Sequence, residues 1–225
     1  LAPEFGRPLD AQGRVQPLVV IGMGKLGGRE LNVSSDIDLV FVYPEEGETD
    51  GPRRLSTSEY FERAGKRLIS LLAEVTADGF AFRVDMRLRP HGDSGPLALS
   101  FAALEHYLVA QGREWERYAW IKARPLTGLE DDARQRELAA IVRPFVFRKY
   151  LDFGTLAAMR QLHAEVRREV ARRELAGHVK LGPGGIREIE FVAQALQLVR
   201  GGRDPALTVR PTCEVLARLE ERGWF

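Results

Sequence analysis

The sequence holds a single cysteine, Cys213, among 225 residues. One thiol cannot close an internal disulfide, and such a chain fits a reducing compartment such as the cytoplasm. Long apolar runs are also missing. Stretches such as Leu18–Gly24 fall far short of the roughly 20 residues a membrane-spanning helix needs, so no membrane is expected as a partner. An excess of one charge is missing too: 33 Lys and Arg against 32 Asp and Glu leave +1. A free-standing nucleic-acid-binding protein is usually more basic, and no nucleic acid is expected as a partner. No signal-peptide pattern, internal repeat or low-complexity stretch is found. The chain opens at Leu1 and stops at the bulky pair Trp224-Phe225, so it is expected to be a piece of a longer protein.

What is present suits a packed core. Hydrophobic residues make up 44% and charged residues 29%, enough for one large domain or two small ones. Residues 1–16 are polar and rich in Pro and Gly and read as a linker or a truncated N-terminal segment. Pro17–Ile21 and Ile37–Tyr43 are apolar runs that fit buried strands. Ser56 and Glu59 form a capping-box pattern ahead of Phe61, Ala64, Leu68, Leu71 and Val75 at helical spacing. From Phe82 to Arg89 the pattern alternates, with Phe82, Val84, Met86 and Leu88 on one face and Arg83, Asp85, Arg87 and Arg89 on the other. Beyond Ser100 the spacing predicts helices over Phe101–Gln111, Glu114–Lys122, Asp131–Val142, Thr155–Glu174, Gly185–Val199 and Thr212–Glu221. The arginines at 160, 167, 168, 172 and 173 read as a solvated face or a surface for another domain. The fold class expected is α+β, with an α+β core over 17–125 and a helical subdomain over 126–225.

Gly22-Met23-Gly24-Lys25-Leu26-Gly27 has the GxGxxG spacing of a dinucleotide-binding turn. A true fingerprint opens a full helix and has an acid at the end of the second strand. Here the next strand begins at Ile37, too soon for that helix, and the acids stand at its start. No Gly-Lys-Ser/Thr closes a P-loop either. A ligand-free glycine hairpin stays open on the glycines alone.

The informative stretch is Ser34-Ser35-Asp36-Ile37-Asp38. On a strand, Asp36 and Asp38 share a face with Cα atoms roughly 6.6 Å apart. Two carboxylates that close repel unless a cation lies between them. Hard oxygen ligands suit Mg²⁺, and Asp85 on a second strand offers a third ligand for the two-metal clamp of phosphoryl displacement. A bare pair of acids at a strand entrance is more often simply solvated. The context changes that balance: Gly27 and Gly28 precede the acids, Ser34 and Ser35 adjoin them, and Asp85 sits among arginines that match phosphate oxygens. Arg83, Arg87 and Arg89 read equally as a salt-bridged surface. Lys25 reads as a solvated lysine or as a phosphate contact.

Three runs carry a resemblance: Gly22-Met-Gly-Lys-Leu-Gly-Gly28, Glu30-Leu-Asn-Val-Ser-Ser-Asp-Ile-Asp-Leu39 and Arg83-Val-Asp-Met-Arg-Leu-Arg-Pro-His-Gly-Asp-Ser-Gly-Pro96. They resemble the glutamine synthetase adenylyltransferase family, and the likeness continues through Ser100–Glu105, Trp115–Tyr118, Arg143–Arg148 and Gly184–Phe191. That family carries two related nucleotidyltransferase domains, one attaching AMP to a tyrosine of glutamine synthetase and one removing it by phosphorolysis. Met23 and the run Gly184-Gly-Ile-Arg-Glu-Ile-Glu-Phe191 look like the removing half.

The resemblance implies a polymerase-β-like nucleotidyltransferase fold and Mg²⁺ as cofactor. It implies Asp36, Asp38 and Asp85 as catalytic metal ligands. Around them it implies a nucleotide and phosphate site of Lys25, Gly27, Gly28, Ser34, Ser35, Arg87, Arg89 and Arg187. The partners implied are adenylylated glutamine synthetase, the PII signal protein and an adenylyltransferase domain of the same protein. Three rivals remain open: an ATP-dependent attaching domain, a non-catalytic nucleotide-binding regulatory module, and an RNA-directed nucleotidyltransferase that the balanced charge disfavours.

Overall fold

The structure is a computed structural model that describes residues 1–127, 132–150, 178–180 and 182–224, and residues 154, 157, 160, 161, 164, 168 and 172 between them. The described chain divides into two units, residues 1–111 with 122–142 and residues 112–121 with 143–225. The single boundary expected near residue 125 is thus replaced by an interleaved one.

The first unit is built on a five-stranded mixed sheet. Its centre is β3, Ile37–Tyr43, flanked by the antiparallel β2, Val19–Gly22. Both read as continuous apolar runs because both their faces are covered; apart from Asp38, every residue of β3 is at most 4% exposed. Beyond β2 lies β7, Arg124–Thr127, antiparallel, with Pro125 opposite Ile21. The other edge of β3 is shared by two short parallel strands. β5, Val84–Asp85, pairs with its start, and β6, Ala98–Ser100, with its end. The strands β6 and β7 went unread in the sequence.

Helix α3, Thr57–Ala73, begins at the expected capping box: Ser56 Oγ accepts from the Glu59 N–H at 3.2 Å and Glu59 accepts from the Ser56 N–H at 3.3 Å. Phe61 is buried, and Tyr60, Ala64, Leu68, Ile69 and Leu72 pack on the sheet core with it. Leu71 and Val75, expected in the same stripe, face solvent instead. Ser100 ends β6 and caps α4, Phe101–Ala110, by accepting from the Ala103 N–H. Residues 1–16 are not a free linker. A short helix, α1 (Ala2–Phe5), buries Phe5, and β1 (Pro8–Leu9) pairs with β4 (Glu48–Thr49). The Asp10 carboxylate is fully buried and ion-paired with Arg14 and Arg134.

The second unit is helical. Among its described residues are α5, Glu114–Trp120, and the helices Ile186–Arg200 and Thr212–Glu221, the last with the expected bounds. Helix α6, Asp132–Val146, crosses the boundary between the units and contains Pro144. Ala193, Leu207, Val215 and Leu219 form an apolar core, and the Gln197 amide, 1% exposed, donates to the carbonyls of Leu207 and Val209 at 2.6 Å each. Tyr118 packs on Phe191 with ring centroids 5.8 Å apart, and Trp120 is buried, while Trp115 stays 41% exposed. The apolar stripe expected over Thr155–Glu174 (Leu156, Met159, Leu162, Val166, Val170) lies outside the described residues, as do Arg167 and Arg173. Arg160, Arg168 and Arg172 are exposed helical positions.

Candidate active site

The acids gather at the start of β3. Asp38 stands in register with Asp85 on the neighbouring parallel strand, Ile37 with Val84. In parallel pairing, register partners present side chains to the same face of the sheet, so the two carboxylates adjoin. Asp36 sits one residue ahead of the strand rather than on it. Burial pushes the Asp38 carboxyl above its usual range, and the charges of Asp85 and Asp36 push it further. Three negative groups therefore act on one another at this end of the sheet.

The strand bearing Asp85 is shorter than the alternation suggested. Asp85 Oδ1 accepts the Arg87 N–H at 2.9 Å, an Asx-turn that ends β5 after two residues. The same turn folds the Arg87 guanidinium back onto Asp85, with Nε 3.0 and 2.9 Å from its two oxygens. This hydrogen bonding holds the Asp85 carboxyl below its usual range. Arg83, exposed beside Asp36, donates Nε to its carboxylate and Nη2 to the Ser34 carbonyl at 2.7 Å. Arg89 does not line up with these side chains on one face. It is 10% exposed and reaches Met86 O at 2.8 Å and Asp93 at 3.3 Å.

The glycine turn lies beside Asp38. Gly24–Gly27 forms α2, a helix of four residues, which agrees with the exclusion of a dinucleotide turn. Gly24 has φ +49, and a Cβ there would lie 3.0 Å from Asp38 Oδ2. The left-handed φ and the tight approach to that carboxylate both favour a residue without a side chain here. The N–H groups of Gly27 and Gly28 are engaged within the turn, donating to Met23 O at 3.0 Å and Gly24 O at 2.9 Å. The two glycines are explained by close packing on Lys122: a Cβ on Gly27 would fall 2.0 Å from the Lys122 carbonyl oxygen. Lys25 Nζ donates to Asn32 Oδ1 at 2.6 Å and lies 3.4 Å from Ser35 Oγ, which itself bonds Asn32. Ser34 adopts φ +65 in the same loop.

Asp36, Asp38, Asp85, Arg87, Lys25, Ser34, Ser35 and the glycines thus all belong to the first unit, whereas Arg187 opens the helix Ile186–Arg200 of the second. Among the described residues no three His, Cys, Asp or Glu side chains form a ready ligand cluster. Two of the three acids are instead turned onto arginines. The donor set still fits a hard divalent ion. It consists of carboxylate oxygens, and one of them, on Asp38, is half-buried with its charge disfavoured by its neighbours. Glu30, Asn32, Lys122 and Arg124 also adjoin this region and were not singled out in the sequence. The visible signal was Lys122, a lone lysine between Ile121 and Ala123 in a stretch read as a domain junction.

The site thus gathers paired carboxylates and arginines at one end of a mixed sheet. The chain belongs to the glutamate-ammonia ligase adenylyltransferase family, whose sequence model matches residues 1–140. The model of the GlnD PII-uridylyltransferase family matches residues 160–225. Similar proteins are named bifunctional glutamine synthetase adenylyltransferase/adenylyl-removing enzyme. That of Chromobacterium violaceum is 65% identical over 96% of this chain and 24% of its own length. That of Aromatoleum aromaticum is 65% identical over 99% of this chain and 23% of its own. The Nitrosomonas europaea protein is 58% identical over 97% and 24%. The chain thus spans about a quarter of the length of the curated relatives it matches.

Proposed function

We propose that this chain carries the adenylyl-removing activity. In this reading a polymerase-β-like nucleotidyltransferase core transfers AMP from an adenylylated tyrosine of glutamine synthetase to inorganic phosphate, in the cytoplasm, giving ADP and unmodified glutamine synthetase. The observation that carries the proposal is the register pairing of Asp38 with Asp85, with Asp36 close enough to raise the Asp38 carboxyl. Pairing and crowding of this kind raise the energy of a carboxylate set until a cation or a proton joins it. Asp38, Asp85 and Asp36 would hold Mg²⁺, which supplies charge neutralisation between the two phosphates and stabilises the departing oxygen.

The remaining chemistry asks little of a general base. An oxygen of inorganic phosphate, already anionic, attacks the adenylyl phosphorus; the bond from phosphorus to the tyrosine oxygen breaks and the phenolate leaves. With an unperturbed pKa near 10, phenolate departs far more readily than an alkoxide, and water protonates it. Arg87 and Arg83, ion-paired with Asp85 and Asp36, would meet phosphate oxygens, since planar donors suit bidentate contact. Lys25 adds a point charge at the lip of the same loop. Arg89, turned onto Met86 O and Asp93, is left out of the phosphate site proposed. The match of residues 160–225 to a PII-uridylyltransferase model supports the PII signal protein as a partner, and the short coverage of the relatives supports a separate adenylyltransferase domain in the whole protein.

Removal is favoured over attachment by the wording of two runs: Met23 in the glycine turn, and Arg187-Glu188 after Gly184-Gly185, resemble the removing half. The deciding assay offers the chain adenylylated glutamine synthetase with phosphate and Mg²⁺, and in parallel the unmodified enzyme with ATP. ADP release in the first mixture alone supports removal. AMP incorporation in the second would transfer the assignment to the attaching reaction, and neither product would leave a nucleotide-binding module.

A further inference from the structure

Two cations reach the glycine turn, Arg124 at the start of β7 and Lys122 two residues ahead of the strand. The Arg124 guanidinium donates from Nε to the Gly27 carbonyl at 2.9 Å and from Nη2 to the Leu26 carbonyl at 2.8 Å. These are carbonyls at the end of α2, where a helix terminus runs short of donors of its own, although the Leu26 carbonyl also accepts the Arg29 N–H at 3.3 Å. Two residues earlier the Lys122 backbone abuts Gly27, and its stem abuts Gly28, where a Cβ would lie 3.1 Å from Lys122 Cδ. The Lys122 side chain is 2% exposed and ion-paired with Glu30, just past the turn. At the opposite end of the same turn, the Met23 N–H donates to the Asp38 carbonyl at 2.9 Å and Gly24 faces Asp38 Oδ2.

We infer that Arg124 and Lys122 are positioning residues for the Asp38 site: from the start of β7 and the residues leading into it they clamp one end of the glycine turn, and so fix how its other end meets the Asp38 carboxylate. Stability alone is a poor reason for these charges. Burying a lysine ion pair carries a desolvation penalty, and well-packed apolar residues of similar volume often hold a sheet as well or better. Directional donors do something apolar residues cannot. By bonding the Leu26 and Gly27 carbonyls, Arg124 sets the orientation of a helix only one turn long, whose first residue is the one against Asp38. Gly27 and Gly28 belong to the same device, since a Cβ on Gly27 would fall 2.0 Å from the Lys122 carbonyl oxygen and one on Gly28 would crowd the Glu30–Lys122 pair. The inference rests on the proposed role of Asp38, but the clamp itself is a statement about backbone order.

The test uses Arg124→Met, Arg124→Lys and the double variant Lys122→Met/Glu30→Gln, which removes both charges of the buried pair. Amide hydrogen exchange of residues 23–28 is followed beside thermal unfolding and the kinetics of phosphate-dependent ADP release from adenylylated glutamine synthetase. In Arg124→Met, exchange at residues 23–28 is expected to quicken roughly 10–100-fold, the scale of one lost charged hydrogen bond, while β2 and β3 keep their protection. The kcat falls by a similar factor, with KM for adenylylated glutamine synthetase within about twofold. Arg124→Lys folds as the parent does and recovers part of both. Unchanged exchange at residues 23–28 in Arg124→Met and in the double variant overturns the clamp; so does quickening spread evenly over the first unit. If the parent chain releases no ADP, the proposed reaction fails and the exchange result alone judges the clamp.

Discussion

The two ends of β3 are put to opposite uses. At its end, Phe41, Val42 and Tyr43 pair with β6 and are at most 2% exposed, and the Tyr43 ring lies 5.3 Å from Phe61. Burial and the neighbouring Glu46 carboxylate both raise the Tyr43 hydroxyl, so this end holds a neutral, hydrogen-bonded group. At its start, the same strand pairs with β5 and brings carboxylates together. There, burial works against the group, because it disfavours the Asp38 carboxylate, and the like charges of Asp85 and Asp36 disfavour it further. One end of the strand is arranged for stability and the other carries a cost that a cation or a proton would relieve.

That contrast can be broken by experiment. Phe41→Ala, at the closed end, is expected to cost about 3–5 kcal/mol in urea denaturation, the range for a fully buried aromatic; a loss under about 1 kcal/mol would mean the closed end is not the keystone. Asp38→Asn should do the reverse. It should reduce phosphate-dependent ADP release by about 100-fold or more, the scale of lost electrostatic stabilisation in a preorganised site. It should also raise the melting temperature in EDTA by about 2–4 °C, the response of a chain this size to roughly 1 kcal/mol. Mg²⁺ should raise the melting temperature of the parent and leave that of Asp38→Asn in place; equal shifts in both would remove Asp38 from the ligand set.

The pH dependence sharpens the comparison further. Asp38 has a raised folded pKa, so its ionisation opposes folding above that value, and the penalty disappears as pH falls below the unfolded pKa. The gain from Asp38→Asn should therefore be full at neutral pH and vanish on acidification. Asp85 has a lowered folded pKa, so it contributes stability above its unfolded pKa that is lost as pH falls through the folded one. Asp85→Asn should thus destabilise at neutral pH, with opposite sign. Melting curves of both variants from neutral pH into the acid range check the pair; two changes of the same sign would contradict the arrangement. The smallest effect is expected at Ser56→Ala, about 1 kcal/mol from loss of the α3 cap, with ADP release unaffected.

Much of this was legible in the sequence where the signal is local. β3 and the helix Thr212–Glu221 have the bounds their patterns suggested, because a continuous apolar run and a 3.6-residue period each need only neighbours in the chain. The Ser56–Glu59 box is local as well. What was missed depends on partners far along the chain. β7 exists because Val20, Ile21 and Gly22 pair with it across some hundred residues, and its Pro125 argues against a strand. Lys122 is buried because Glu30 stands 92 residues away to receive it. The alternation through Phe82–Arg89 overstated β5 because the Asp85 side chain captures the Arg87 N–H, a bond that periodicity does not register. Of the site, the acids were visible as residue types at a given spacing. Which arginine would hold which acid was not, since Arg83 and Asp36 are 47 residues apart.

The brevity of β5 has a consequence of its own. With two residues in the ladder, the third acid is anchored by a handful of bonds at the rim of the sheet, whereas Asp38 belongs to its most protected strand. Fraying of that rim would carry Asp85 away while leaving the core untouched. The three acids proposed as metal ligands would therefore come apart at lower energy than the domain unfolds, which puts their assembly within reach of weak forces.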